Sequence, residues 1–223
     1  MSEIELQALT RPPQKKSATP PPILLLLHGY GSNEEDLMGL APYLDERLYI
    51  VSARAFYNIG FGYAWYHLYG EPGNLIGDDE SLAASLEQLT AIVAQLPAQI
   101  GGDPQQVYLL GFSQGAVMSL DLALTAPQLI AGAIAISGYL DKNILPRVQP
   151  ATLKDLDLLL LHGVDDDVIP VKGSRAAKAY LETTPAHVAY QEYRIGHGIH
   201  PAALTLTQQW LAERLDRAVI EPK

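Results

Sequence analysis

The sequence contains no cysteine. That absence excludes a disulfide framework, a thiolate nucleophile and any Cys-ligated metal, so a reactive group has to be a hydroxyl, carboxylate, amine or imidazole. It also suits a reducing compartment. Cations are scarce: 15 Lys and Arg stand against 25 Asp and Glu, a net charge of -10. A nucleic-acid partner, whose phosphates call for clustered basic residues, is therefore not expected. No apolar run approaches the roughly 20 residues needed to span a bilayer, so no membrane span is expected either. The opening MSEIELQALT lacks the apolar core of a secretory signal, and the expected location is the cytoplasm. Neither G-x-x-x-x-G-K-[ST] nor G-x-G-x-x-G occurs, which removes the common phosphate loops. What remains is a chain of 223 residues, 48% hydrophobic and 18% charged. Such a chain can bury a sizeable core as a single domain over residues 1–223.

Hydrophobic periodicity organises it. Ile4, Leu6 and Ala8 alternate with polar residues, the period of a half-buried strand. The proline-rich stretch 11–22 fits neither sheet interior nor helix and is expected to be an exposed hairpin loop. Ile23 to Leu27 reads as a strand covered on both faces, ending in His28-Gly29-Tyr30-Gly31. Ser32 with Glu35 predicts a capping box, and Leu37, Leu40 and Leu44 predict the apolar stripe of the helix behind it. After a short strand at Leu48 to Ser52, residues 53–79 show no period but crowd together Phe56, Tyr57, Phe61, Tyr63, Trp65, Tyr66 and Tyr69. That density predicts a lid or pocket wall, with Phe61, Trp65 and Tyr66 as substrate-binding candidates; capping of a sheet edge is the other use for it. Helices are predicted over Ser81 to Ile100, Val171 to Leu181 and from Pro201 onward. Strands are predicted at Val107 to Leu110, Ile130 to Ile136, Leu158 to Leu161 and around Val188 to Tyr193. Alternation of this kind predicts an α/β fold, a mostly parallel central sheet with helices on both faces.

Gly111, Ser113 and Gly115 spell G-x-S-x-G between a buried strand and a helix. The pattern sets a serine on a sharp turn whose small neighbours let it close, and the helix behind it aims free N–H groups at the same spot. Ser113 is the candidate nucleophile. A serine needs a base within reach and the base needs a carboxylate. In parallel sheets ligands sit beyond the carboxyl ends of strands, and the His28 loop, Ser113, the Asp165 to Asp167 cluster and His197 all fall there. Of six histidines, His28 and His162 precede glycines and are expected to hold their loops by hydrogen bonds. His67 and His187 lie in or near irregular segments, and His200 lies at a helix start. His197, between two glycines after the last strand, is the candidate base. A metal reading with His197 and His200 lacks a third ligand, and no metal is expected.

HGYGSNEEDL, GFSQGA, HGVDDDVIP and IGHGI together resemble the phospholipase/carboxylesterase family of small α/β-hydrolases, which includes the acyl-protein thioesterases. The resemblance implies the α/β-hydrolase fold, no cofactor, and a serine carboxylesterase acting on small-molecule esters. By the family's spacing the acid is Asp166, four residues after His162 and four before Pro170. The implied oxyanion donors are the backbone N–H groups of Tyr30 and Gln114, and Trp65 resembles a pocket tryptophan of many members. Short to medium-chain esters are expected because nothing in the sequence forms a basic surface for membrane-bound substrates. Acyl-protein thioesterase and lysophospholipase activities are the alternatives within hydrolysis. A catalytically silent binding protein on the same fold is the alternative of another class. Exposed aromatics near the mouth could equally serve as a homodimer surface.

Overall fold

Consecutive apolar residues can hide every side chain only in a strand covered on both faces, and all five residues of Ile23–Leu27 are buried. The computed structural model describes residues 6–15, 17–71 and 74–220; Ile4, counted above in the first strand, lies outside them. In chain order the main strands are β1 (Ala8–Arg11), β2 (Ile23–Leu27), β3 (Tyr49–Ala53), β4 (Val107–Phe112), β5 (Gly132–Ile136), β6 (Asp157–Gly163) and β7 (His187–Tyr193). They form one sheet in the order β1-β3-β2-β4-β5-β6-β7. Only β1 runs antiparallel to its neighbour; the other pairings are parallel. The helices are α1 (Glu34–Met38), α2 (Asp79–Ile100), α3 (Gln114–Thr125), α4 (Lys172–Leu181) and α5 (Pro201–Ile220).

Strand alternation divides the core into two layers. Ile23, Leu25, Leu27, Val107 and Leu109 face one side, where Leu86, Leu89 and Val93 of α2 and Val117 and Leu120 of α3 cover them. Leu24, Leu26, Tyr108 and Leu110 face the other, against Leu37 of α1 and Trp210, Leu211 and Leu215 of α5. The expected parallel sheet with helices on both faces is thus observed. No helix among the described residues is long and apolar enough to cross a membrane.

Three local expectations are corrected. The proline-rich stretch does not close a hairpin, because β1 pairs with β3 rather than with β2. Arg11 supplies the reason: its guanidinium donates to the carbonyls of Ala41, Leu44, Asp45 and Leu48 at 2.7 to 3.3 Å, tying β1 to the chain that leads into β3. The cap of α1 is Asn33, whose Oδ1 accepts from Glu35 N at 2.8 Å. Ser32 is held outside the helix by its bridge to Tyr63 and donates from Oγ to Asp36. The helix then stops at Met38, and the apolar stripe continues through a 3-10 turn at Ala41–Tyr43, since Pro42 has no N–H to extend an α-helical ladder. Finally, residues 53–79 contain two short antiparallel ribbons, Tyr57–Asn58 with Tyr63–Ala64 and Leu68–Tyr69 with Ile76–Gly77.

Candidate active site

The turn at Ser113 sits where L-residues rarely go, at φ 54° and ψ -117°. Its surroundings over-determine it. Its N–H donates to Ile136 O of β5 at 2.9 Å, and its carbonyl accepts from Ala116 N at 3.0 Å in the first turn of α3. The flanking glycines are required by close approach: a Cβ on Gly111 would lie 2.1 Å from Gly115 O, and one on Gly115 would lie 1.9 Å from Leu27 O. The strand, the Ser113 turn and the helix therefore fit together only with glycine at both positions.

Three separate strand ends converge on this turn. Ser113 Oγ lies 2.9 Å from His197 Nε2, and His197 Nδ1 lies 2.8 Å from Asp166 Oδ2. A carboxylate only accepts, so Nδ1 carries the proton and Nε2 is left free to accept from the serine hydroxyl. Asp166 is 6% exposed. Its other oxygen, Oδ1, accepts the N–H groups of Val168 at 3.0 Å and Ile169 at 2.8 Å. Asp165 and Asp167 are exposed on either side of it. The ring of Phe112 lies 4.9 Å from that of His197, tilted across it.

His162 contributes more than the loop-holding expected of it. Its Nε2–H donates to Ile169 O at 2.8 Å, and the same nitrogen lies 3.4 Å from Asp166 Oδ2. Burial pushes its pKa below the ordinary histidine value, against the pull of Asp166, so the ring is held neutral. Only the spacing to Asp166 hinted at this contact, since i and i+4 beyond a strand have no fixed geometry.

The loop after β2 packs against Ser113. A Cβ placed on Gly29 would lie 3.3 Å from Ser113 Cβ. His28 fixes that loop: its Nε2 accepts from Ala55 N at 3.1 Å and its Nδ1–H donates to Gly29 O at 2.7 Å. Burial lowers its pKa, which keeps it in this neutral tautomer. The backbone N–H groups of Tyr30 and Gln114 make no hydrogen bond to another described residue.

The Gln114 side chain has a role that its motif does not reveal. Its Oε1 accepts from Trp65 N at 2.7 Å and its Nε2 donates to Tyr66 O at 2.6 Å, so the aromatic segment is clamped to the nucleophile turn. Trp65 and Tyr66 are 0% and 1% exposed. Trp65 Nε1 donates to His28 O at 2.9 Å, which bonds the two loops together behind the serine. Tyr66 reaches outward only through its hydroxyl, 3.4 Å from that of Tyr139. Phe61, 72% exposed, stands edge-on to Tyr30 with ring centres 6.1 Å apart. The remaining histidines stay apart from the triad: His200 accepts from Ala202 N and stacks on Tyr193, His67 lies against Tyr57, and His187 faces Asp157. Val168 and Ile169, whose N–H groups hold Asp166, also help wall a cavity of about 700 Å³, together with Tyr139.

Comparison with known proteins gives the family. The phospholipase/carboxylesterase family model matches residues 12–215. The chain is 30% identical over 117 residues to a probable carboxylesterase SOBER1-like protein of Arabidopsis thaliana, covering 52% of this chain and 45% of that one. It is 28% identical over 162 residues to acyl-protein thioesterase 1 of Kluyveromyces lactis, covering 70% of this chain and 69% of that one. The chain thus spans about half the length of the curated carboxylesterase relatives it matches. Among solved structures, esterase PE8 superposes with a TM-score of 0.75 at 30% identity, covering 94% of this chain and 99% of that one. With a family model that matches residues 12–215 of the 223, the chain belongs to the phospholipase/carboxylesterase family.

Proposed function

We propose that the protein is a serine carboxylesterase that hydrolyses short to medium-chain carboxylic esters through an acyl-enzyme intermediate. The observation that carries this reading is the continuous hydrogen-bonded line from Asp166 through His197 to Ser113. Ser113 Oγ attacks the ester carbonyl carbon as His197 Nε2 takes the hydroxyl proton. The carbonyl oxygen gains negative charge between the N–H groups of Tyr30 and Gln114. As the C–O bond to the alcohol breaks, His197 returns the proton to the departing oxygen. Water then repeats the sequence: it loses a proton to His197, adds to the acyl carbon, and releases the acid while Ser113 regains its proton. Asp166 keeps the His197 ring in the required tautomer and stabilises the imidazolium. The substrate is a small-molecule ester, with Phe61 at the mouth and the acyl chain in the cavity beside Tyr139; no step calls for a cofactor. The absence of cysteine suits a cytoplasmic enzyme.

A second reading, acyl-protein thioesterase, draws on the resemblance to the Kluyveromyces lactis protein of that name. The test compares p-nitrophenyl esters from acetate to palmitate and a palmitoyl thioester, with wild type beside Ser113→Ala. Turnover of short and medium esters that the variant abolishes supports the esterase. Turnover confined to long thioesters transfers support to the second reading, and equal activity of the two proteins removes Ser113 as nucleophile.

A further inference from the structure

The cavity walled by Tyr139, Val168 and Ile169 is built from parts of very different chemistry. One wall is shared with the catalytic machinery: Val168 and Ile169, whose N–H groups hold Asp166, line it. Tyr139 lines it from the segment just beyond β5, three residues after the carbonyl that anchors Ser113 N. Leu145 and the buried Ala177 of α4 add further apolar surface. A hydrocarbon chain suits such walls. Two lysines do not. Lys142 comes from the 3-10 segment Lys142–Arg147 and Lys172 from the first position of α4, and both border the same space.

Neither lysine has a carboxylate partner among the described residues, a state they share with Arg11, Lys15, Arg147, Lys154 and Arg194, while Arg47, Arg54, Arg175, Lys178, Arg214 and Arg217 each have one; what sets Lys142 and Lys172 apart is that both border one cavity. This occurs in a chain with a net charge of -10, where acids to pair with are plentiful. The carboxylates nearest in sequence are otherwise placed. Asp141 accepts from Asn143 N as the cap of its own segment, and Asp167 is exposed ahead of Val168. The α4 N-terminus adds a positive dipole end without a side-chain cap. Two exposed cations on the border of a largely apolar space favour a ligand that is apolar along its length and anionic at its tip.

We propose that this cavity selects esters whose acyl chain ends in a carboxylate, Lys142 and Lys172 holding that terminal anion while the ester carbonyl meets Ser113. The proposal rests on the esterase reading for its chemistry, but the anion site itself does not depend on turnover.

The experiment measures kcat/KM for mono-p-nitrophenyl esters of α,ω-dicarboxylic acids of increasing length. Each is paired with the same compound whose far carboxylate is capped as a methyl amide. An exposed ion pair gives a factor of roughly 2 to 5. Wild type is therefore expected to prefer the charged member of a matched pair by roughly 4- to 25-fold at one favoured length, and less at high salt. Lys142→Ala with Lys172→Ala should erase that ratio, Lys→Arg at both should retain it, and Lys154→Ala, a lysine that does not line the cavity, should leave it as in wild type. Calorimetric titration of a free long-chain dicarboxylate into wild type and the double variant gives a second readout without turnover. Ester hydrolysis with no charged preference, or dicarboxylate binding equal in both proteins, overturns the anion site and leaves the esterase standing. Lysine-dependent binding of the dicarboxylate without any ester hydrolysis overturns the esterase and leaves the anion site standing.

Discussion

Asp121 lies in the middle of α3 with 0% exposure, and neither carboxyl oxygen has a hydrogen-bond partner among the described residues. Burial drives its pKa well above the ordinary aspartate value, and the nearby Asp141 charge adds to the effect. The opposing influences are weaker: the Asp141 N–H, which leans toward it without completing a hydrogen bond, and the charge of Arg147. In the native protein Asp121 therefore keeps its proton at pH values where the unfolded chain has lost it. That difference sets the sign. Above the unfolded pKa, near 3.9, the unfolded state binds fewer protons than the native state, so stability falls as pH rises until the native carboxyl also ionises. One group contributes about 1.4 kcal/mol per pH unit over that window. Asp121→Asn has nearly the same size and cannot ionise. Urea titrations of wild type and Asp121→Asn at half-unit steps from pH 4 to 8 isolate the effect, because Glu34, held low by Arg54, and the other carboxylates cancel in the difference. The variant should gain on wild type by about 1.4 kcal/mol per unit as pH rises, and the gain should level off where native Asp121 ionises. A difference that stays constant across the range would refute the reasoning, since it would mean that Asp121 titrates in the folded protein as it does in water.

The proposed chemistry predicts that Ser113→Ala and His197→Ala each lower kcat by about 10⁶ and that the double variant is little worse, because the residues act as a unit; losses that multiply would argue against the assignment. Asp166→Asn should lower kcat by about 10⁴ through the wrong His197 tautomer, with Asp165→Asn and Asp167→Asn mild, as steady-state kinetics on one ester can decide. Gln114→Leu leaves the Trp65 N–H and the Tyr66 carbonyl buried without partners. It should cost roughly 2 to 6 kcal/mol of stability by denaturant titration, and a change under about 0.5 kcal/mol would show that the clamp is dispensable.

What could be read before folding was whatever depends on near neighbours. Ile23–Leu27 and Val107–Phe112 declare themselves as buried strands because covered strands need no polar face. G-x-S-x-G declares the sharp turn at Ser113 because Gly111 and Gly115 are demanded by contacts a Cβ would destroy. Asp166 could be chosen from three adjacent acids only through the family's spacing, and its two backbone donors, Val168 and Ile169, show the physical basis of that spacing. What stayed hidden depends on residues far apart in the chain. No local pattern says that β1 docks on β3; that choice rests on Arg11 reaching carbonyls 30 to 37 residues away. Trp65 looked like a pocket wall because aromatics outside regular structure usually meet a ligand, but its indole N–H found His28 O and the ring went into the core. Asp121 gave no signal because an acid in a helix is ordinarily solvated, and only the packing of α3 against the sheet, α2 and the 3-10 segment Lys142–Arg147 turns it into a buried one. Lys142 and Lys172 were invisible for the same reason: each is an ordinary surface lysine until the ends of β5 and β6 bring their loops to one cavity. Local sequence therefore specifies the reactive atoms of this site, while the groups that select what reaches them are assembled only by the order of strands in the sheet.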